Sequence, residues 1–205
     1  MLISCLCITR NRREWLPSML QCFQAQTWEE KELIVVADSV SDISGWSPND
    51  ERVTIYVPKK PERWTIGEKR NVACSVAKGE LLANLDDDDH SGPLRLEYQA
   101  DALLKARKSV CVLRDIPFTD GTKWWLNRNW PGGYGSTHLF RRDWWEKNPY
   151  PQINSGEDWE VVSHAMRKKE LVAVKALNHF YAVNHPGNTA TRVIGEGWEF
   201  IERAA

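Results

Sequence analysis

Leu81-Leu82-Ala83-Asn84-Leu85-Asp86-Asp87-Asp88-Asp89-His90 joins a mostly apolar run of strand length directly to four consecutive carboxylates. Such a run, bounded by polar residues, reads as a strand covered on both faces, which is the pattern of a parallel sheet. Ligands of parallel α/β sheets gather at the carboxyl ends of the strands, where the following loops form a crevice. The acidic run therefore stands where a site belongs. Adjacent carboxylates disfavour one another's ionisation unless solvent or a cation neutralises them. Hard oxygen ligands on a short loop suit Mg²⁺ or Mn²⁺ bound jointly with a substrate diphosphate. A solvated acidic loop is the alternative. The alternating ligands, central Gly and terminal Glu of an EF-hand are absent.

Upstream of this stretch, Leu2 to Ile8 reads as a strand, Thr9-Arg10-Asn11-Arg12 as a polar turn, and Trp15, Leu16, Met19, Leu20 and Phe23 as the apolar stripe of a helix. Leu33 to Ala37 is a second strand, ended by Asp38-Ser39, so the first forty residues form a βαβ unit. Val53 to Val57 is a third strand, followed by a polar loop to Arg63 and a helix over Ile66 to Lys78 with Gly79 as its cap. Downstream, Pro93 to Arg107 reads as a helix and Val110 to Leu113 as a strand. From Phe118 to Pro151 the sequence is rich in Gly, Trp and Asn, with Gly135 to Phe140 as a strand candidate. Glu157 to Lys169 is a helix, Leu171 to Ala176 and Phe180 to Val183 are strands, and Asn184 to Ala205 reads as a tail.

The 205 residues carry a formal net charge of −1, with 42% hydrophobic and 27% charged residues, which describes an ordinary globular protein of one domain and excludes disordered and fibrous classes; the strand and helix pattern makes that domain α/β. A chain of this length buries roughly 70% of the surface that its unfolded form exposes, so neither a disulfide nor a structural metal is needed. Cys5, Cys7, Cys22, Cys74 and Cys111 form no C-x-x-C pair and read as reduced, cytoplasmic thiols. No segment approaches the roughly 20 apolar residues of a bilayer helix, and Met1 to Ile8 lacks a basic leader and a cleavage site. The nearly cancelling charges give no support to a nucleic-acid partner.

Neither G-x-G-x-x-G nor G-x-x-x-x-G-K-[ST] is present, so dinucleotide and P-loop enzymes are not supported. Four segments instead carry a specific likeness: C-I-T-R-N-R-R-E-W-L (7–16), L-I-V-V-A-D-S-V-S-D (33–42), G-E-K-R-N-V-A-C-S-V-A-K-G-E-L-L-A-N-L-D-D-D-D (67–89) and G-E-D-W-E (156–160). Their order and spacing resemble the inverting glycosyltransferases of family 2, which have the GT-A fold, over about residues 3 to 165. The resemblance implies a nucleoside-diphosphate-sugar donor, with a UDP-sugar favoured, bound by residues 1–115, and a hydroxyl acceptor, a glycan first, bound by residues 116–185. It implies that Thr9 and Asp38 meet the base and ribose within a nucleotide-sugar site that also holds Asn11 and Arg12, and that Arg70 flanks the base. Asp86 and Asp88 correspond to the two acids of the D-x-D motif, Asp88 as direct ligand of Mn²⁺ or Mg²⁺ and Asp86 or Asp87 nearer the ribose. Asp158 corresponds to the general base, with Glu157 as competing base or orienting partner. Ala37 departs from the pattern, standing where the family usually has the first Asp of a D-D pair.

Chemistry read from the residues agrees with these roles. A divalent cation stabilises a leaving diphosphate, and a carboxylate opposite it takes the acceptor's proton. Read without the resemblance, Asp158 is better taken as an ordinary acid favoured by the start of a helix. His185, in the loop after the last strand, is a further metal-ligand candidate or a surface histidine. Trp124, Trp125 and Trp130, ahead of Gly133, are candidates to stack on an acceptor, or core residues. Three other readings stay open: glycosylation of a modified base in DNA, a nucleotidyltransferase, and a sugar-nucleotide-binding module without turnover.

Overall fold

A computed structural model describes residues 1–59, 63–128, 134–176, 178–188 and 198–202. Strand β1 (Ile3–Thr9) leads through helix α1 (Leu16–Gln24) to β2 (Lys31–Ala37), and β3 (Val53–Tyr56) follows. Helix α2 (Ile66–Val76) returns the chain to β4 (Leu81–Asn84). After β5 (His90–Ser91) come α3 (Arg95–Ala106), β6 (Val110–Arg114), β7 (Ile116–Thr119) and β8 (Trp124–Asn127). Then follow β9 (Leu139–Arg141), α4 (Arg142–Lys147), α5 (Glu157–Arg167), β10 (Leu171–Lys175), β11 (Phe180–Val183) and β12 (Trp198–Phe200).

The central sheet has seven strands in the order β10-β6-β9-β4-β1-β2-β3. All of its pairs are parallel except those of β9, which runs antiparallel to both β4 and β6. This is the mostly parallel α/β sheet expected from the apolar runs. Strands β1, β2 and β3 progress toward one edge, and α2 then carries the chain back to the other side of β1. The connections leaving β1 and β4 therefore part from one another. A crevice opens at such a switch point, and here it lies between Thr9–Arg12 and Asp86–Asp89.

The pleat divides the core in two. Ile3, Cys5 and Cys7 of β1 face α1 and α3 together with Leu33, Val35, Leu81 and Ala83. Leu6 faces the opposite layer with Ile34, Val36, Leu82 and the buried residues of α2 and α5. All five cysteines are buried and unpaired, as expected of packing residues. A smaller sheet, ordered β12-β8-β7-β11-β5, covers a third cluster around Phe118 and Phe180.

Local expectations are corrected or refined. Gly79 does not cap α2, which ends at Ala77 in extended conformation. Gly79 instead allows a close approach: its N–H donates to Ser4 Oγ at 2.7 Å, and a Cβ there would lie 2.7 Å from Leu2 O and Ser4 N. Gly135 to Phe140 is not one strand but a 3-10 turn (Gly135–Thr137) followed by β9. The segment read as Gly-, Trp- and Asn-rich from Phe118 onward with short strand candidates opens with the antiparallel pair β7 and β8. The expected tail contains β12, which pairs antiparallel with β8.

Candidate active site

A cleft of about 670 Å³ opens at the carboxyl ends of β1 and β4. One wall is Thr9 to Arg12, the floor is Arg70 with Asp86 to Asp88, and the opposite wall comprises Tyr134 to Ser136 and Asn154 to Asp158. The expected residues Thr9, Asn11, Arg12, Arg70, Asp86, Asp87, Asp88, Glu157 and Asp158 thus line one cavity.

The β1 wall is rigid for local reasons. Asn11 adopts a left-handed φ of 54°, a conformation that asparagine tolerates, and its N–H donates to Asp42 Oδ1 at 2.8 Å. Asp42 also accepts from Ser39 N–H at 2.9 Å, within a capping box that starts the 3-10 turn Val40–Ile43. Asp38 is buried beneath this wall rather than lining the cleft, with Lys69 Nζ at 2.6 Å and Arg10 Nε at 3.5 Å. Lys69 Nζ also donates to Thr9 O at 3.3 Å and does line the cleft. Lys69 was missed in the sequence, where a lysine inside a helix reads as a solvated surface residue.

Helix α2 delivers Lys69 and Arg70 because its start is fixed by a second capping box. Thr65 Oγ1 accepts from Glu68 N–H at 3.2 Å, and Glu68 accepts from Thr65 N–H at 2.8 Å. Arg70, 5% exposed, donates to both oxygens of Asp86 at 3.1 and 3.2 Å and lies 3.5 Å from Glu157. Burial pushes the Asp86 carboxyl up, but the Arg70 charge and hydrogen bonds outweigh it and hold the group below the usual carboxylate range. Glu157 goes the other way, raised by burial and by the neighbouring Asp158 against the pull of Arg70.

The four carboxylates divide their work. Asp86 belongs to Arg70. Asp87 and Asp88 share Arg12 Nη1, at 3.2 and 2.8 Å. Burial, together with the Asp88 charge, raises Asp87 to about 7. Asp89 accepts from Val183 N–H at 3.1 Å and so fastens the smaller sheet to the loop. Asp88 Oδ2 further meets His185 Nε2 and Asn188 Nδ2, each at 3.1 Å, while Trp15 stacks on the His185 ring at 4.8 Å. Asn188 and Trp15 were not read as site residues in the sequence, because Asn188 lies 100 residues from Asp88 and Trp15 lies about 170 residues from His185.

The donor set fits a divalent cation held together with a phosphate. Among the described residues no three His, Cys, Asp or Glu side chains form a metal-holding group by themselves. Mg²⁺-type ions need none, since they are bound by one or two carboxylates plus substrate oxygens and water. Asp88 Oδ2 and His185 Nε2, 3.1 Å apart, are the side-chain atoms that would hold such an ion.

Asp158 stands at the start of α5, behind Gly156, whose φ of 80° is left-handed. Its Oδ2 accepts from Gly135 N–H at 3.0 Å and its Oδ1 from its neighbour Trp159 N–H at 2.8 Å. The tryptophan candidates are placed elsewhere. Trp124 sits in the smaller sheet with its ring edge-on to Tyr181 at 4.9 Å, Trp125 pairs in register with Phe200, and neither lines the cleft. Trp130 and Gly133 lie outside the described residues. Among the described residues, the aromatic side chains that line the cleft are Trp64, Tyr134 and Trp198.

A mostly parallel sheet whose central strand ends in clustered acids, opposite a carboxylate at a helix start, defines the GT-A fold. The chain belongs to glycosyl transferase family 2, whose family model matches residues 4–171. Among solved structures it is similar to S. aureus TarS 1-349 in complex with UDP-GlcNAc, with TM-score 0.75 and 19% identity over 92% of this chain and 60% of that one. It is also similar to the mannosyltransferase PcManGT from Pyrobaculum calidifontis in complex with GDP-Man and Mn²⁺, with TM-score 0.66 and 16% identity over 89% and 56%. The chain thus spans about three-fifths of the length of these neighbours. No curated protein matched it in sequence.

Proposed function

We propose that the protein transfers a sugar from a nucleoside diphosphate, a UDP-sugar first, to a hydroxyl of a glycan acceptor with inversion at the anomeric carbon. The observation that carries this reading is one cleft lined by Asp88 with its partners Arg12 and Asn188 on one side and by Asp158 on the other. Family membership and a TarS neighbour bound to UDP-GlcNAc support it. Residues 1–115 supply the donor side and residues 116–185 the acceptor side.

In this reading the rigid wall of Thr9, Asn11 and Lys69, backed by Asp38, receives the nucleoside, and Arg12 and Arg70 face the anionic part of the donor. Asp88, with His185, would hold Mn²⁺ or Mg²⁺, which supplies charge neutralisation for the departing diphosphate. Asp158 accepts the proton of the acceptor hydroxyl. The freed oxygen attacks the anomeric carbon from the face opposite the diphosphate, whose oxygen leaves with the bonding electron pair, and this inverts the configuration. The two amide hydrogen bonds orient the Asp158 carboxylate and leave lone pairs for the hydroxyl. Glu157, buried against Arg70, orients that guanidinium.

The test is calorimetric binding of UDP-, GDP- and dTDP-sugars with Mn²⁺ or with EDTA, on wild type and Asp88→Ala. One donor should bind with metal, and binding should be lost in the variant. Asp158→Asn should retain donor binding and lose transfer by on the order of 1,000-fold. Absence of binding by every donor under both conditions would overturn the proposal.

A further inference from the structure

Asn84 is wholly buried in β4, two residues before Asp86, and does not line the cleft. An apolar side chain at this point would be removed from water at far lower cost, so the amide depends on its hydrogen bonds. Its Nδ2 donates to Gly135 O at 2.6 Å and to Tyr150 Oη at 3.0 Å. A carbonyl only accepts, so Gly135 O fixes which end of the amide is nitrogen. The Asn84 backbone N–H donates to His138 O at 2.8 Å, beyond the far end of the same 3-10 turn. Arg95, 0% exposed, bridges Asn84 O and Ser136 O at 2.8 and 2.7 Å. The turn is thus fastened to β4 at both ends and in the middle.

What the turn carries on its other side is Asp158. Gly135 N–H donates to Asp158 Oδ2, and a Cβ on Gly135 would lie 2.9 Å from Asp158 Cβ, so the two residues are in direct contact. A shift of Gly135 is passed to the carboxylate without slack. The second bond of Asn84 leads to Tyr150, whose ring lies 5.9 Å from the Arg70 guanidinium and whose Oη is 3.2 Å from His138 Nδ1.

We propose that Asn84 is a positioning residue that sets the Asp158 carboxylate through the Gly135 turn. The inference rests on the reading of Asp158 as the base. It makes the floor strand that ends in the acidic cluster also the ruler for the opposite wall, so that both sides of the cleft are referred to β4.

The test is amide hydrogen exchange in ¹⁵N-glycine-labelled protein, alongside transfer kinetics. Asn84→Ala should speed exchange at Gly135 about tenfold or more, and so should Asp158→Ala, which removes the acceptor of that N–H. Gly79, whose N–H is bonded to Ser4 Oγ before the other end of β4, should stay within about twofold of wild type. The same variant should lower kcat on the order of 100-fold, with the Kd for UDP in Mn²⁺ held within about twofold. Should Asn84→Ala not fold, Tyr150→Phe removes one hydroxyl, keeps the ring and should speed Gly135 exchange about threefold. Unchanged protection at Gly135 in the folded variant, or an equal loss at Gly79, overturns the positioning role. Full transfer by Asp158→Ala overturns the base assignment instead, and does so independently of the exchange result.

Discussion

At the scale of single residues, Arg12 and a divalent cation compete for Asp88 under the proposed mechanism. Arg12 Nη1 lies 2.8 Å from Asp88 and 3.2 Å from Asp87, with the guanidinium side chain 19% exposed. Two charges this close interact by several kcal/mol at an effective dielectric near 20, although partial exposure reduces the net value. In that reading a cation alone would have to displace the arginine, whereas a diphosphate arriving with the cation would give that guanidinium a new anionic partner. Arg12→Gln should therefore tighten Mn²⁺ binding about tenfold when no nucleotide is present, read from the free Mn²⁺ signal in electron paramagnetic resonance. It should also diminish the gain in Mn²⁺ affinity that UDP brings to the wild type. Equal or weaker Mn²⁺ binding by the variant would sink the idea.

At the scale of elements, the start of α2 is wedged under the segment that leads into α5. Gly67 N–H donates to Ile153 O at 3.1 Å, and Ile66 N–H to Asn154 Oδ1 at 3.2 Å. A Cβ on Gly67 would fall 1.8 Å from Pro151 O, a backbone atom that cannot swing aside. Gly67→Ala should then cost about 3 kcal/mol or more and lower the urea midpoint with little change in m. A cost below about 1 kcal/mol would show that the two segments separate freely. Elements also differ in how far they are readable from sequence. Strands β1, β2 and β4 are apolar runs that no other element explains, and the carboxylates at the end of β4 announce the crevice. Strands β7, β8 and β12 are three or four residues long, β8 is half-buried throughout, β12 is mostly exposed and Pro117 lies inside β7, so their identity comes from pairing across the chain. For the same reason Lys69 and Asn84 escape a sequence reading: one resembles a surface lysine and the other a flaw in an apolar strand. Only the tertiary fold shows that the first meets Asp38 and the second meets Gly135.

At the scale of the whole molecule, a buried histidine ties stability to pH. His138 is 0% exposed, at the entry to β9, where Tyr150, Asp158, Asp86, Arg70 and Arg95 act on it. Burial lowers its pKa from 6.5 to about 4, against the pull of Asp158 and with the push of Arg70. Below pH 6.5 the unfolded chain binds a proton at this site that the folded protein does not. Stability from a neutral His138 is thus fully present above pH 6.5, falls as the pH drops toward 4, and levels off below that value. Each pH unit in the window removes at most about 1.4 kcal/mol. Asp87, raised to about 7, works in the opposite sense, since its stabilising proton is lost as the pH rises. The histidine is therefore best isolated as a difference between wild type and His138→Asn, in which the common carboxylates largely cancel. Urea unfolding should show the wild-type advantage greatest at pH 7 and shrinking progressively by pH 4.5. An advantage that stays constant, or grows on acidification, would mean that the folded protein carries His138 charged across that range.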